Sequence, residues 1–166
     1  MLKKSWRNAA IGILAALAVV VAGRIALADN PKCQANEGGC SASVNSSGQL
    51  VEVYNLTGLG GTTKANWSLT ATVSGDARCQ SKSGNCPEAA NKFGPTDQST
   101  SGSFTVHNGN ASGSATLTPA SGLACPKGQQ PLILDVTYSA ITFTVDGTVV
   151  DSPAGSLSSG TLATCP

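Results

Sequence analysis

Trp67, Leu69, Ala71 and Val73 alternate with Ser68, Thr70, Thr72 and Ser74, the two-residue period of a strand with one buried face and one wet face. Residues 50–54 have the β-branched and aromatic content of another strand, and Gly58, Gly60 and Gly61 mark the turn between the two. Cys40 begins an earlier strand that runs into a turn at 45–48. Phe104 and Val106 lead into Asn108-Gly109, a pair suited to the positive φ angles of a type I′ turn. Ala111, Gly113, Ala115 and Leu117 then return on one face, with Ser112, Ser114, Thr116 and Thr118 on the other, so the pattern predicts a hairpin.

Further on, Leu132, Leu134, Val136 and Tyr138 alternate, and Ile141, Phe143 and Val145 continue in the opposite parity. One extra residue flips every later side chain to the other face, so the phase change at Ser139-Ala140 requires a bulge. Asp146-Gly147 supplies a second hairpin turn before 148–150, and 156–164 is expected to add an edge strand. No segment after residue 28 has a helical period. Short strands punctuated by turns predict an all-β fold, an antiparallel β-sandwich of immunoglobulin-like type or a partly open barrel.

Residues 1–28 follow a different pattern. Lys3, Lys4 and Arg7 precede the apolar run 9–23, and Ala26-Leu27-Ala28 is a small-x-small triplet of the kind a signal peptidase cuts. The run is short against the ~20 residues of a spanning helix. A helical signal peptide cleaved after Ala28, export by the general pathway and no membrane association afterwards are expected, leaving 29–166 as one secreted domain, extracellular or periplasmic.

Dividing the chain there changes its composition. The formal charge of the whole is +1, but Lys3, Lys4, Arg7 and Arg24 are four of its ten basic residues, and six basic against nine acidic residues leave the remainder at −3. Phosphate binding needs clustered Lys and Arg, so a nucleic-acid partner is excluded. Leu, Ile, Val and Phe supply only 24 of the last 138 residues, below the ~20% at which disorder becomes a serious alternative. The six cysteines supply what such a core lacks. After a signal peptide an even count reads as three disulfides. Zinc sites want Cys pairs two to four residues apart, whereas Cys33 and Cys40, like Cys79 and Cys86, are seven apart. If the strands near 65–77 and 111–118 run the same way, Cys79 and Cys125 meet at one end, where Cys86 can reach Cys165, and Cys33 is left for Cys40.

The run Cys79-Gln80-Ser81-Lys82-Ser83-Gly84-Asn85-Cys86-Pro87-Glu88-Ala89-Ala90-Asn91-Lys92, with 101–106 and the Asn108-Gly109 turn, resembles a group of small secreted bacterial β-proteins. These carry a cysteine, a Gly-Asn loop ending in Pro-x-Ala-x-Asn-Lys, and a strand hairpin. The second cysteine, Cys86, and the single Gly84 depart from that pattern. The resemblance covers about 40 residues; it implies an export-dependent β domain and transfers no catalytic residue.

Candidate chemistry is sparse. His107 beside a tight turn is the one histidine available to a Ser-His-Asp set. Among carboxylates considered for glycoside hydrolysis, Asp146 belongs to its turn and Asp151 precedes Ser152-Pro153, leaving Asp135 alone on a strand. No Asp-x-Asp-x-Asp run offers a calcium loop, and no cofactor or metal site is expected. Trp67 belongs on a buried face; Tyr54 and Tyr138 are the aromatics a sugar could stack on. The stretch 81–98 reads as a long loop, with Asn85, Asn91 and Lys92 as its hydrogen-bonding groups. The sequence favours a non-enzymatic envelope module, structural or binding an extracellular protein or glycan. A small secreted hydrolase or hydrolase inhibitor using 81–98, and a lectin-like carbohydrate binder, are the alternatives. The sequence leaves the oligomeric state open.

Overall fold

The computed structural model describes residues 30–35, 38–86 and 91–165; the expected signal peptide lies outside them. Among the described residues nine strands follow in chain order: β1 (Lys32–Cys33), β2 (Cys40–Val44), β3 (Leu50–Thr57), β4 (Lys64–Ser81), β5 (Asn91–Thr105), β6 (Ala111–Leu117), β7 (Gln129–Val145), β8 (Thr148–Asp151) and β9 (Ser156–Ser158). They form two antiparallel sheets packed as a sandwich. In the first, β3 is central, with β6 along one side and β1 and β2 end to end along the other. In the second, β4 lies between β5 and β7, and β8 and β9 share the far side of β7. Among the described residues no helix is long and apolar enough to cross a membrane.

The inward faces follow the alternation. Leu69, Ala71 and Val73 of β4 are buried, as are Val136, Tyr138, Ile141, Phe143 and Val145 of β7. Ala140 has φ 47°, and the register with β4 shifts between Thr70 and Thr72, so the phase change at Ser139-Ala140 is a bulge. The expected alternation at Leu132 and Leu134 does not hold. A second shift, between Asp76 and Ala77, skips Leu134, so Ile133 packs on the core instead. Leu134 instead accepts a backbone hydrogen bond from Leu162 N at 2.7 Å, which holds the C-terminal segment on β7 beyond β9.

The expected 104–118 hairpin is corrected in a similar way. The tight turn is present: Asn108 and Gly109 have φ 52° and 76°, and His107 and Asn110 exchange backbone bonds of 2.9 Å. Beyond this isolated bridge the two arms part, β5 pairing with β4 in one sheet and β6 with β3 in the other. The alternation of β6 matches its burial equally well in either sheet, and the open edge of β3 takes it up with seven paired positions, Leu50 through Leu56.

Two aromatic rings cover glycines on neighbouring strands. Trp67 faces Gly102, and Tyr54 faces Gly113. A Cβ on Gly102 would lie 2.7 Å from the Trp67 ring, and one on Gly113 would lie 2.8 Å from the Tyr54 hydroxyl. Tyr54 also stacks on Phe143 of the opposite sheet, centroids 5.3 Å apart, and Trp67 lies 6.3 Å from the same ring. Large rings thus fill space that small neighbours leave.

Disulfides join Cys33 to Cys40, Cys79 to Cys125 and Cys86 to Cys165, the pairs that strand direction suggests. The first clips β1 to β2 beside β3. The second ties the end of β4 to the segment leaving β6, and so one sheet to the other. Disulfides persist in oxidising compartments, which fits an extracellular or periplasmic environment.

Candidate functional site

Within the segment expected as a loop over 81–98, residues 91–98 are strand. β4 runs on to Ser81, and β5 already pairs with it at Asn91, opposite Ala77, and at Lys92, opposite Asp76. Asn85 closes the turn after β4: its N–H donates to Ser81 Oγ at 3.1 Å, and its carbonyl accepts from Ser81 N–H at 3.0 Å. Asn85 therefore meets β4 four residues beyond the position that Asn91 faces, and the three expected binding groups do not converge.

The outer face of the second sheet has a pattern of its own. Register places Ser101, Ser68 and Thr144 in one row, Ser99, Thr70 and Thr142 in the next, then Asp97, Thr72 and Ser139. Farther along, Lys92, Asp76 and Asp135 form a charged row, where Asp135 Oδ1 accepts from the Asp76 N–H at 3.3 Å. Thr72 Oγ1 donates to Asp97 Oδ1 at 2.7 Å. The face is thus a field of hydroxyls ending in mixed charges, suited to hydrogen bonding and not to apolar docking.

β5 borders this face and, among the described residues, pairs along one side only, with β4. Near its middle, Gln98 acts as a substitute backbone. Its Nε2 donates to Ala120 O at 2.7 Å, and its Oε1 accepts from Ala120 N–H at 2.9 Å. This clip holds the segment after β6 beside β5 and leaves a hollow of about 510 Å³ lined by Thr96, Gln98, Leu117, Ser121 and others. Beyond the clip, residues 99–105 read Ser-Thr-Ser-Gly-Ser-Phe-Thr, with no charge and no proline.

The remaining candidates are dispersed. His107 is exposed in the 107–110 turn. Asp146 sits in its turn at φ 46° with Oδ1 accepting from Asn66 N–H of β4 at 2.9 Å, Asp135 faces outward, and Asp151 ends β8 on the opposite side of β7. Among the described residues no three His, Cys, Asp or Glu side chains gather as a metal site would need. Tyr54 and Tyr138 are both buried, which removes the stacking platforms of the lectin-like alternative. Tyr138 donates to Gly48 O at 2.6 Å, and burial pushes its hydroxyl up to about 12, partly offset by a backbone hydrogen bond at Leu50.

One ionisable residue escaped the sequence reading. Glu52 is fully buried, and neither carboxylate oxygen accepts from a donor among the described residues, while the Asp151 carboxyl lies within hydrogen-bonding reach. Burial first, and then the neighbouring Asp151 carboxylate, push it from 4.5 to about 8. The signal was its parity: in Leu-Val-Glu-Val-Tyr-Asn-Leu, Glu52 shares the inward phase of Leu50, Tyr54 and Leu56.

No protein-family model, curated protein or solved structure matches this chain.

Proposed function

We propose that this is a secreted, non-enzymatic β-sandwich module of the cell envelope, and that it holds another macromolecule along the β5 edge. The carrying observation is the edge itself. Exposed edge strands expose unpaired N–H and C=O groups, and natural proteins usually blunt them with lysine, proline or a bulge. Residues 99–105 have none of these, while the outer face beside them offers the hydroxyls of Ser99 and Ser101. An extended segment of a partner adds there by main-chain hydrogen bonds, with the hydroxyl rows reading its side chains. The leader-like 1–28 stretch, the disulfides and the resemblance over 79–109 support export. The chain crosses between sheets after β3, β5 and β6, which supports an immunoglobulin-like description of the sandwich.

The test is retention of envelope components by the oxidised domain immobilised through its C-terminus. Wild type is expected to retain a component that the double variant Ser99→Lys, Ser101→Lys loses at unchanged thermal stability. Equal retention by both overturns the edge. Turnover of ester, peptide or glycoside substrates that is lost in His107→Ala overturns the non-enzymatic assignment.

A further inference from the structure

Glu52 occupies a position that the fold has emptied of everything but carboxylate chemistry. Its register neighbours in the first sheet are Ala42 on β2 and Ala115 on β6, both too small to reach past it and both without a polar side chain. Across the sandwich the group beside it is Asp151, the last residue of β8, which register places opposite Phe143. Two ionised carboxylates can only accept, so while both are charged no hydrogen bond can form between them, and in a medium of low dielectric they repel. A single proton changes this. The protonated member becomes a donor, the other an acceptor, and the resulting bond is a charge-assisted one of the short, strong kind.

Among the described strands no other ionisable side chain is placed to take that proton; Lys92 and Asp97 of β5 lie in the outward rows beside Asp76 and Thr72. β2 and β6 contain none, and neither does β9. β1 brings only Lys32, exposed and opposite Thr57 at the far end of β3. From β7, Tyr138 points inward but its hydroxyl is committed to Gly48 O, and Asp135 faces outward beside Asp76. Of the ionisable residues of β4, Lys64 is exposed and Asp76 lies in the outward charged row, with Arg78 on the same outward parity. On β3 itself the other ionisable group is Tyr54, stacked on Phe143.

β8 is also the element best placed to respond. It has four residues, hydrogen-bonds in register only with β7, across an irregularity between Phe143 and Thr144, and otherwise touches the first sheet at β1, where Cys33 Sγ lies 3.2 Å from Val150 O. We infer that Glu52 and Asp151 share one proton, and that the shared proton is a pH-operated latch fastening β8 of the second sheet to β3 of the first. With the proton in place the latch is closed. Its loss leaves two buried like charges at the seam, and β8 comes away from β3 before the rest of the sandwich yields. The inference is independent of what the β5 edge binds, because β5 and β8 are the opposite ends of the strand order in their sheet.

Carboxyl carbon NMR on the oxidised protein tests this directly, read together with amide exchange of 148–151 after correction for the intrinsic effect of pH. The Glu52–Asp151 pair is expected to show one titration midpoint well above the ordinary glutamate value, with protection of 148–151 falling at least tenfold through the same interval. Glu52→Gln supplies a permanent donor and is expected to keep β8 protected across the whole range. If that variant fails to fold, Asp151→Asn serves instead, since its amide satisfies Glu52 as a carboxylate and moves the midpoint down by at least one pH unit. Ordinary midpoints for both carboxyls overturn the shared proton. Loss of β8 protection that follows the same pH course in wild type and variant overturns the latch.

Discussion

Among single residues, Glu52 makes the strongest departure from what its strand otherwise does. Its linkage to folding has a definite sign. In the unfolded chain the carboxyl titrates near 4.5, and in the folded protein near 8. Between those values the unfolded chain has released a proton that the folded one keeps, so rising pH favours unfolding, at up to about 1.4 kcal/mol per pH unit. Below 4.5 both states are protonated and the penalty vanishes. This is the reverse of the usual salt-bridged carboxylate, whose benefit is lost in acid. Gly113 illustrates a different constraint. Its hydrogen is the contact surface for the Tyr54 ring, so Gly113→Val forces that ring off Phe143 and is expected to cost about 1–3 kcal/mol in denaturant unfolding. Ala140 is the converse case, a non-glycine at φ 47°. Ala140→Gly relieves about 1–2 kcal/mol of left-handed strain against about 0.5–1 kcal/mol of added chain entropy, so a gain of about 0.5–1 kcal/mol is expected by the same measurement.

At the scale of elements, what was legible in the sequence was whatever local chemistry decides. The β4 alternation from Trp67 to Val73, the Asn108-Gly109 and Asp146-Gly147 turns and the Ser139-Ala140 bulge all follow from side-chain parity and backbone preference within a few residues. Pairing partners do not. The two arms around Asn108-Gly109 separate because β3 offers a whole unpaired edge to β6, and no property of 104–118 reveals that edge. The early start of β5 was hidden for the same reason: Asn-Lys-Phe-Gly-Pro reads as turn chemistry, and only the continuation of β4 to Ser81 gives it a partner. The candidate site was less legible still. Asn85, Asn91 and Lys92 read as neighbours when 81–98 is taken as one loop, but Asn91 and Lys92 belong to β5 and Asn85 to the turn after β4. The free edge at 99–105 is a consequence of strand order, which composition does not encode.

For the whole molecule, covalent closure carries a share of stability that the thin core cannot. In the chain-entropy account the benefit grows with the loop closed, and the loops here have separations of 7, 46 and 79 residues. Replacing both cysteines of the 79–125 pair by serine is expected to cost about 4 kcal/mol, and replacing the 33–40 pair about 2 kcal/mol. Urea unfolding of the two variants under oxidising conditions checks the order, which reverses if the smaller loop protects β1 and β2 by some other means. Against a total domain stability of ~5–15 kcal/mol the larger loss leaves a marginal fold.

The two long bridges also interlace: Cys86 lies between Cys79 and Cys125, and Cys125 lies between Cys86 and Cys165. A single backbone cut anywhere between Cys79 and Cys165 therefore leaves both pieces covalently joined. The β5 edge and the 118–124 segment both lie inside that interval. A protease that nicks the chain at one of these positions therefore leaves one molecule, its two pieces still held by a bridge.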